Sequence, residues 1–215
     1  MYDLILFDLD GTLTDPAEGI TNSVRHALAK RGIYVEDSAT LYSFIGPPLI
    51  DSFMQFYGYT KAEAVQGVAD YREYYADRGI WENKLYPGIP ELLAALKAAG
   101  KTVCMATSKP EYFAKQIAAH FHIDQYFDLI AGSTMDETRT KKSDVIAYAL
   151  SSLGQKSPGS AIMVGDRSYD VIGAKQLGLP CIGVTFGYGS EEELRTAGAH
   201  AIAHDTDELR ALLLE

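Results

Sequence analysis

Short apolar runs recur along the chain, each closed by polar or glycine residues. Leu4-Ile5-Leu6-Phe7 is unbroken, and similar runs occupy residues 102–106, 127–131, 161–164 and 181–185. Runs of this length without polar alternation read as strands covered on both faces, the pattern of a parallel sheet. A short edge strand fits residues 200–203. Between the runs the apolar spacing becomes helical, at 91–99, 111–121, 143–153, 169–177, 191–196 and 206–214. Residues 17–31 and 49–57 also repeat at helical spacing, and Thr60 with Glu63 has capping-box spacing for a helix over 60–78. No strand pattern falls between Asp15 and Leu85. The order predicts an α/β fold: a doubly wound, mostly parallel sheet formed by residues 1–15 and 85–215, with a helical insert at 16–84.

Composition narrows the partners. The 215 residues are 47% hydrophobic and 22% charged, ordinary for a globular protein, and no apolar run is long enough to span a bilayer. The formal net charge of -10 repels nucleic-acid backbones and anionic membranes, so neither is expected as a partner. Cys104 and Cys181 lie in apolar runs and read as reduced core residues, and the N-terminal segment lacks a basic leader. A cytoplasmic address is the expectation. An anionic substrate would require the site to reverse the molecule's field locally.

Several apolar runs deliver polar residues at their carboxyl ends, where open α/β sheets bind ligands. The first delivers Asp8 and Asp10, which share a face in extended chain while Leu9 stays inside; Gly11 then permits a sharp bend. Taken alone, Asp8-Leu9-Asp10-Gly11 reads equally well as an acidic turn. The run at 102–106 is followed by Thr107 and Ser108, either an anion cradle at a helix start or a plain cap ahead of Pro110. The run at 161–164 leads to Gly165-Asp166, with Asp170 four residues on; Asp166 suits a hard cation, and a helix cap is the plainer reading. Lys141 and Lys142 open the helix between these two runs, where a solvated turn is the simpler interpretation.

Asp8-Leu9-Asp10-Gly11-Thr12, then Thr107, then a lysine, then Gly165-Asp166 through Asp170, resembles the motif order of the haloacid dehalogenase superfamily, over residues 8 to 170. The resemblance implies a Rossmann-like core with a helical cap inserted after the first motif. It implies a phosphomonoester hydrolase in which Asp8 is the nucleophile and Asp10 the general acid and base. Mg²⁺ would be held by Asp8, the backbone carbonyl of Asp10 and Asp166, with Asp170 behind them. Gly11, Thr107, Ser108 and Lys141 would bind the phosphoryl group; counting back from Ile146 selects Lys141 as the motif lysine, and leaves Lys142 at a position often held by proline. The second acid, Asp10, argues against dehalogenation. Arg25 and Gly46 are the expected contacts from the cap, whose many aromatics read chiefly as its own core. The segment 183–189 resembles the phosphoglycolate phosphatase and 5′-nucleotidase branch, and residues 132–146 incline towards the nucleotidase-like members. A small phosphorylated metabolite, foremost a nucleoside 5′-monophosphate, is therefore the expected substrate of a monomer or weak dimer. Phosphoglycolate phosphatase, phosphosugar mutase and phosphonatase activities are the alternatives.

Overall fold

β1 (Leu4–Phe7) lies inside a six-stranded sheet, and its four residues are all buried. The computed structural model describes residues 2–136, 138–154 and 160–214. The chain divides into two units, Met1–Asp15 with Leu85–Glu215, and Pro16–Lys84.

In the first unit the sheet comprises β1, β4 (Thr102–Pro110), β5 (Leu129–Ser133), β6 (Ala161–Gly165), β7 (Cys181–Val184) and β8 (Ala201–Ala203). Their spatial order is β5-β4-β1-β6-β7-β8, and every pairing is parallel. Parallel neighbours require crossovers, supplied by α4 (Ile89–Ala98), α5 (Glu111–His120), α6 (Lys142–Ser152), α7 (Ser168–Gln176) and α8 (Glu191–Ala197), while α9 (Thr206–Leu214) follows β8. Strand order reverses on either side of β1, since the chain proceeds outward through β4 and β5, then returns to β6. A crevice opens at the carboxyl ends of strands at such a reversal. Leu4, Leu6, Cys104, Ala106 and Met163 of the sheet pack with Val145, Ile146 and Ala149 of α6 and with Val171 and Ala174 of α7.

Two departures from the periodicity matter. The strand expected to stop at Ala106 continues to Pro110, with an irregular register against β5 between Ala106 and Pro110. Pro110 disfavours helical backbone in Lys109 before it, and pairing with β5 resumes at Pro110 opposite Ser133. The run expected at 127–131 is shifted to Leu129–Ser133, because Asp124–Tyr126 form a 3₁₀ turn first.

The second unit is helical: α1 (Ala17–Ala29), a 3₁₀ segment Ser38–Phe44, α2 (Leu49–Tyr57) and α3 (Lys61–Tyr74). The Thr60–Glu63 capping box opens α3 with both reciprocal bonds made. Phe44 packs edge-on to Phe53, and Phe53 stacks on Tyr59, so these aromatics form this unit's own core. The helix expected to reach residue 78 changes to π geometry at Tyr75–Gly79, where Ile80 donates to the Tyr75 carbonyl five residues back (2.8 Å). The cause is a close backbone approach: a Cβ on Gly19 of α1 would lie 1.9 Å from the Gly79 carbonyl oxygen. The chain passes between the units through two short strands, β2 (Thr14–Asp15) and β3 (Lys84–Leu85), which pair with each other.

Candidate active site

The carboxyl ends of β1, β4 and β6 and the start of α6 bring four acids and two lysines together in the first unit. Asp8 receives its position from the sheet itself, its N–H donating to the Val164 carbonyl at 2.9 Å. The chain then reverses: the N–H groups of Leu13 and Thr14 both bond the Leu9 carbonyl, and Gly11 takes φ +82°, a conformation that glycine adopts without strain. The bend must also be bare, because a Cβ on Gly11 would lie 2.1 Å from Asp166 Oδ2.

The two acids of β1's end meet different ammonium groups. Lys142 Nζ lies 2.7 Å from Asp8 Oδ1 and 2.8 Å from Asp170 Oδ1, and donates to the Ala106 carbonyl at 3.1 Å. Its three N–H groups thus face three acceptors. Lys109 Nζ lies 2.5 Å from Asp10 Oδ2, while Asp10 Oδ1 is buried with no hydrogen-bond partner. Thr107, buried beside Lys109, accepts the Lys109 N–H through its hydroxyl (3.2 Å), and Ser108 is half-buried.

Lys141 does not belong to this constellation: it is exposed at the position before α6, and Lys142 enters the site instead. At about 100° per residue, a lysine four positions before Ile146 lies on the helix face of Ile146, and one five positions before does not. Gly173 of α7 makes room for the buried stem, since a Cβ there would lie 2.8 Å from Lys142 Cγ.

Asp8, Asp166 and Asp170 each present an oxygen within 4.8 Å of the others. The Asp10 carboxylate, turned to Lys109, is not part of that trio. Asp166 is fully buried; Tyr188 N–H donates to its Oδ2 at 2.8 Å, and Thr12 Oγ1 is 3.5 Å from its Oδ1. Burial, then the charges of Asp170 and Asp8, push the Asp166 carboxyl well above the usual range. Burial raises Asp170 to about 6 against the opposing pull of Lys142, and raises Asp10 against that of Lys109. Burial opposes the Lys142 charge, but Asp170 and Asp8 outweigh it and hold the ammonium protonated. Four acids share the site with two ammonium groups, so acidic groups outnumber basic ones there. An all-oxygen, carboxylate-rich donor set suits a hard cation.

The two residues expected from the insert stand apart from this description. Arg25 donates to the carbonyls of Val35 and Glu36, tying down the segment after α1, and Gly46 lies in the turn before α2 with φ +103°. Both contribute to the architecture of the second unit.

A sequence profile of haloacid dehalogenase-like hydrolases matches residues 5–184. The chain belongs to that family. Among curated members, a 5′-nucleotidase from Pseudomonas aeruginosa is 51% identical, covering 98% of this chain and 94% of that one. Tyrosine-protein kinase PtkA from Mycobacterium tuberculosis is 41% identical over 98% of this chain and 72% of its own length. Among solved structures, a predicted phosphatase from Clostridium acetobutylicum superimposes with a TM-score of 0.97 at 51% identity, covering 100% of this chain and 99% of that one. Membership, with the 5′-nucleotidase and the phosphatase among these relatives, makes the chain a phosphatase of the haloacid dehalogenase-like family. Lys109 is the site residue that the motif order missed. Its signal was available in the alternation: if the strand is continued past Ala106, Thr107 and Lys109 fall on one face.

Proposed function

We propose that the protein hydrolyses nucleoside 5′-monophosphates through an aspartyl-phosphate intermediate. The observation that carries the mechanism is the separation of the two acids on β1: Asp8 against Lys142, Asp10 against Lys109 with one oxygen bare. Neighbouring carboxyls in unequal surroundings take unequal roles. Asp8 attacks phosphorus, and the phosphorus–oxygen bond to the nucleoside breaks as Asp10 gives its proton to the leaving oxygen. The raised Asp10 carboxyl favours the protonated form this step needs. Asp10 then takes a proton from water, whose oxygen attacks phosphorus, releasing phosphate and restoring Asp8. Lys142, rather than Lys141, supplies the ammonium beside the nucleophile, and Thr107 with Ser108 supplies hydroxyl and backbone donors to phosphoryl oxygens. Mg²⁺, held by Asp8, Asp166 and the Asp10 backbone carbonyl, would offset the negative charge that otherwise repels a phosphate dianion.

The 51% identical 5′-nucleotidase supports the choice of substrate. The test compares kcat/KM for nucleoside 5′-monophosphates and 2-phosphoglycolate, with and without Mg²⁺, in wild type and Asp8→Asn. Nucleotides should lead, Mg²⁺ should be required, and Asp8→Asn should fall by about ten-thousandfold or more, as when a covalent nucleophile is removed. A preference for phosphoglycolate overturns the substrate, and near-normal turnover by Asp8→Asn overturns the mechanism.

A further inference from the structure

The loop after β7 presses on Asp166 from two sides. A Cβ on Gly187 would lie 2.2 Å from the Gly11 carbonyl oxygen and 2.5 Å from Asp166 Oδ2. A Cβ on Gly189 would lie 1.9 Å from the Asp166 carbonyl oxygen. Between these glycines, the Tyr188 N–H holds Asp166 Oδ2 at 2.8 Å. The Tyr188 side chain reaches in another direction: its hydroxyl donates to Asp15 Oδ1. Two residues earlier, Phe186 packs edge-on against Tyr86, with ring centroids 5.1 Å apart. One residue therefore holds a fully buried acid with its backbone while its side chain anchors that backbone elsewhere.

We infer that Tyr188 is a positioning residue for a divalent cation at Asp8 and Asp166, acting through Asp166 and anchored by Asp15. A carboxylate can rotate about its last bond and offer either oxygen. The backbone N–H on Oδ2 selects one orientation and leaves Oδ1 towards Thr12. The contact is useful only while the loop stays within a few tenths of an ångström of its place, and glycine on both sides permits the approach without enforcing it. The hydroxyl bond to Asp15 supplies the enforcement. Groups behind a metal ligand commonly govern affinity in this way.

The inference rests on the cation reading above, and its test separates the two. Mn²⁺ binding is measured by calorimetry on the full chain for wild type, Tyr188→Phe, Asp15→Ala, Asp15→Asn and the Tyr188→Phe/Asp15→Ala pair, alongside metal-free melting. Tyr188→Phe keeps the ring and the backbone N–H, and should weaken Mn²⁺ about tenfold, the low end for lost support behind a ligand. Asp15→Ala should match it, Asp15→Asn should retain most affinity through its amide oxygen, and the pair should be no worse than either single change. The half-saturating Mg²⁺ concentration for turnover should rise by more than kcat at saturating Mg²⁺ falls, which general loosening of the fold would not produce. A Tyr188→Phe protein that binds Mn²⁺ as wild type does overturns the inference, as does an additive pair. Wild type that binds no Mn²⁺ overturns the cation reading itself.

Discussion

Lys142 is held by Asp8, Asp170 and a backbone carbonyl, all out of water, whereas its neighbour Lys141 is exposed. Lys142→Met should therefore lose about a hundredfold or more in rate, as for a preorganised charged donor. It should also lose about 3 kcal/mol of stability, the low end for breaking a buried ion pair, because Asp170 at about 6 accepts a proton readily. Lys141→Ala should change neither activity nor melting. Parallel assays and urea titrations of the two proteins check the ranking; equal damage from both would remove the distinction. Adjacent lysines at a helix start carry the same signal in a linear pattern, and only the helix's rotation distinguishes them. The Asp-x-Asp-Gly-Thr segment left no such ambiguity about its place, since an unbroken apolar run leads straight into it. Lys109 was hidden for a different reason: the proline after it reads as the start of a helix, which masks the alternation that continues through Thr107, and the strand's continuation depends on its pairing with β5.

Elements were legible where one period dominated. Leu4–Phe7, Ala161–Gly165 and Cys181–Val184 stand out because both faces of each strand are covered, leaving no polar alternation to confuse them. The π turn at Tyr75–Gly79 had no local sign, because its cause is a backbone sixty residues away in the chain, at Gly19. Gly19→Ala should cost about 1–3 kcal/mol through forced separation of α1 from that turn. Denaturant unfolding and proteolysis within residues 16–84 check it, and a wild-type midpoint would show that the approach carries no strain. A second element-level device lies at His204, whose ring meets Glu208 at 2.8 Å and Glu191 at 3.2 Å, joining the segment before α9 to α8. Its hydrogen bond to Glu208, then that to Glu191, raises its pKa above 6.5. A raised folded value means that the contribution is complete below the unfolded pKa and is lost as pH rises through the folded one. The melting difference between wild type and His204→Gln should thus be largest near about pH 6 and shrink as pH rises through the folded value. An NMR titration placing His204 at or below 6.5 would refute it.

At the scale of the whole molecule, a net charge of -10 coexists with four acids gathered around two lysines. Such a concentration of like charge is costly in isolation, so a bound divalent cation should stabilise the protein measurably. At a hundredfold excess over its dissociation constant the gain is about 2.7 kcal/mol, or several degrees in Tm. Thermal melts with and without Mg²⁺ check this, and Asp166→Asn should abolish most of the shift. Melting indifferent to Mg²⁺ in wild type would contradict it.

The pairing of β1 also bears on how the protein comes off the ribosome. Leu4 is hydrogen-bonded into a ladder with Thr102 on one side and Ala161 on the other. At about 5–20 residues per second, translation leaves that apolar strand without either neighbour for many seconds. The helical segment between β1 and β4 packs α1 on α3 through pairs such as Lys30 and Asp70, forty residues apart, and both sides of those contacts are made before β4 emerges. Its own partners are therefore in hand while β1 is still an unpaired strand. Until β4 emerges, Leu4 to Phe7 is the stretch that nascent-chain chaperones must shield.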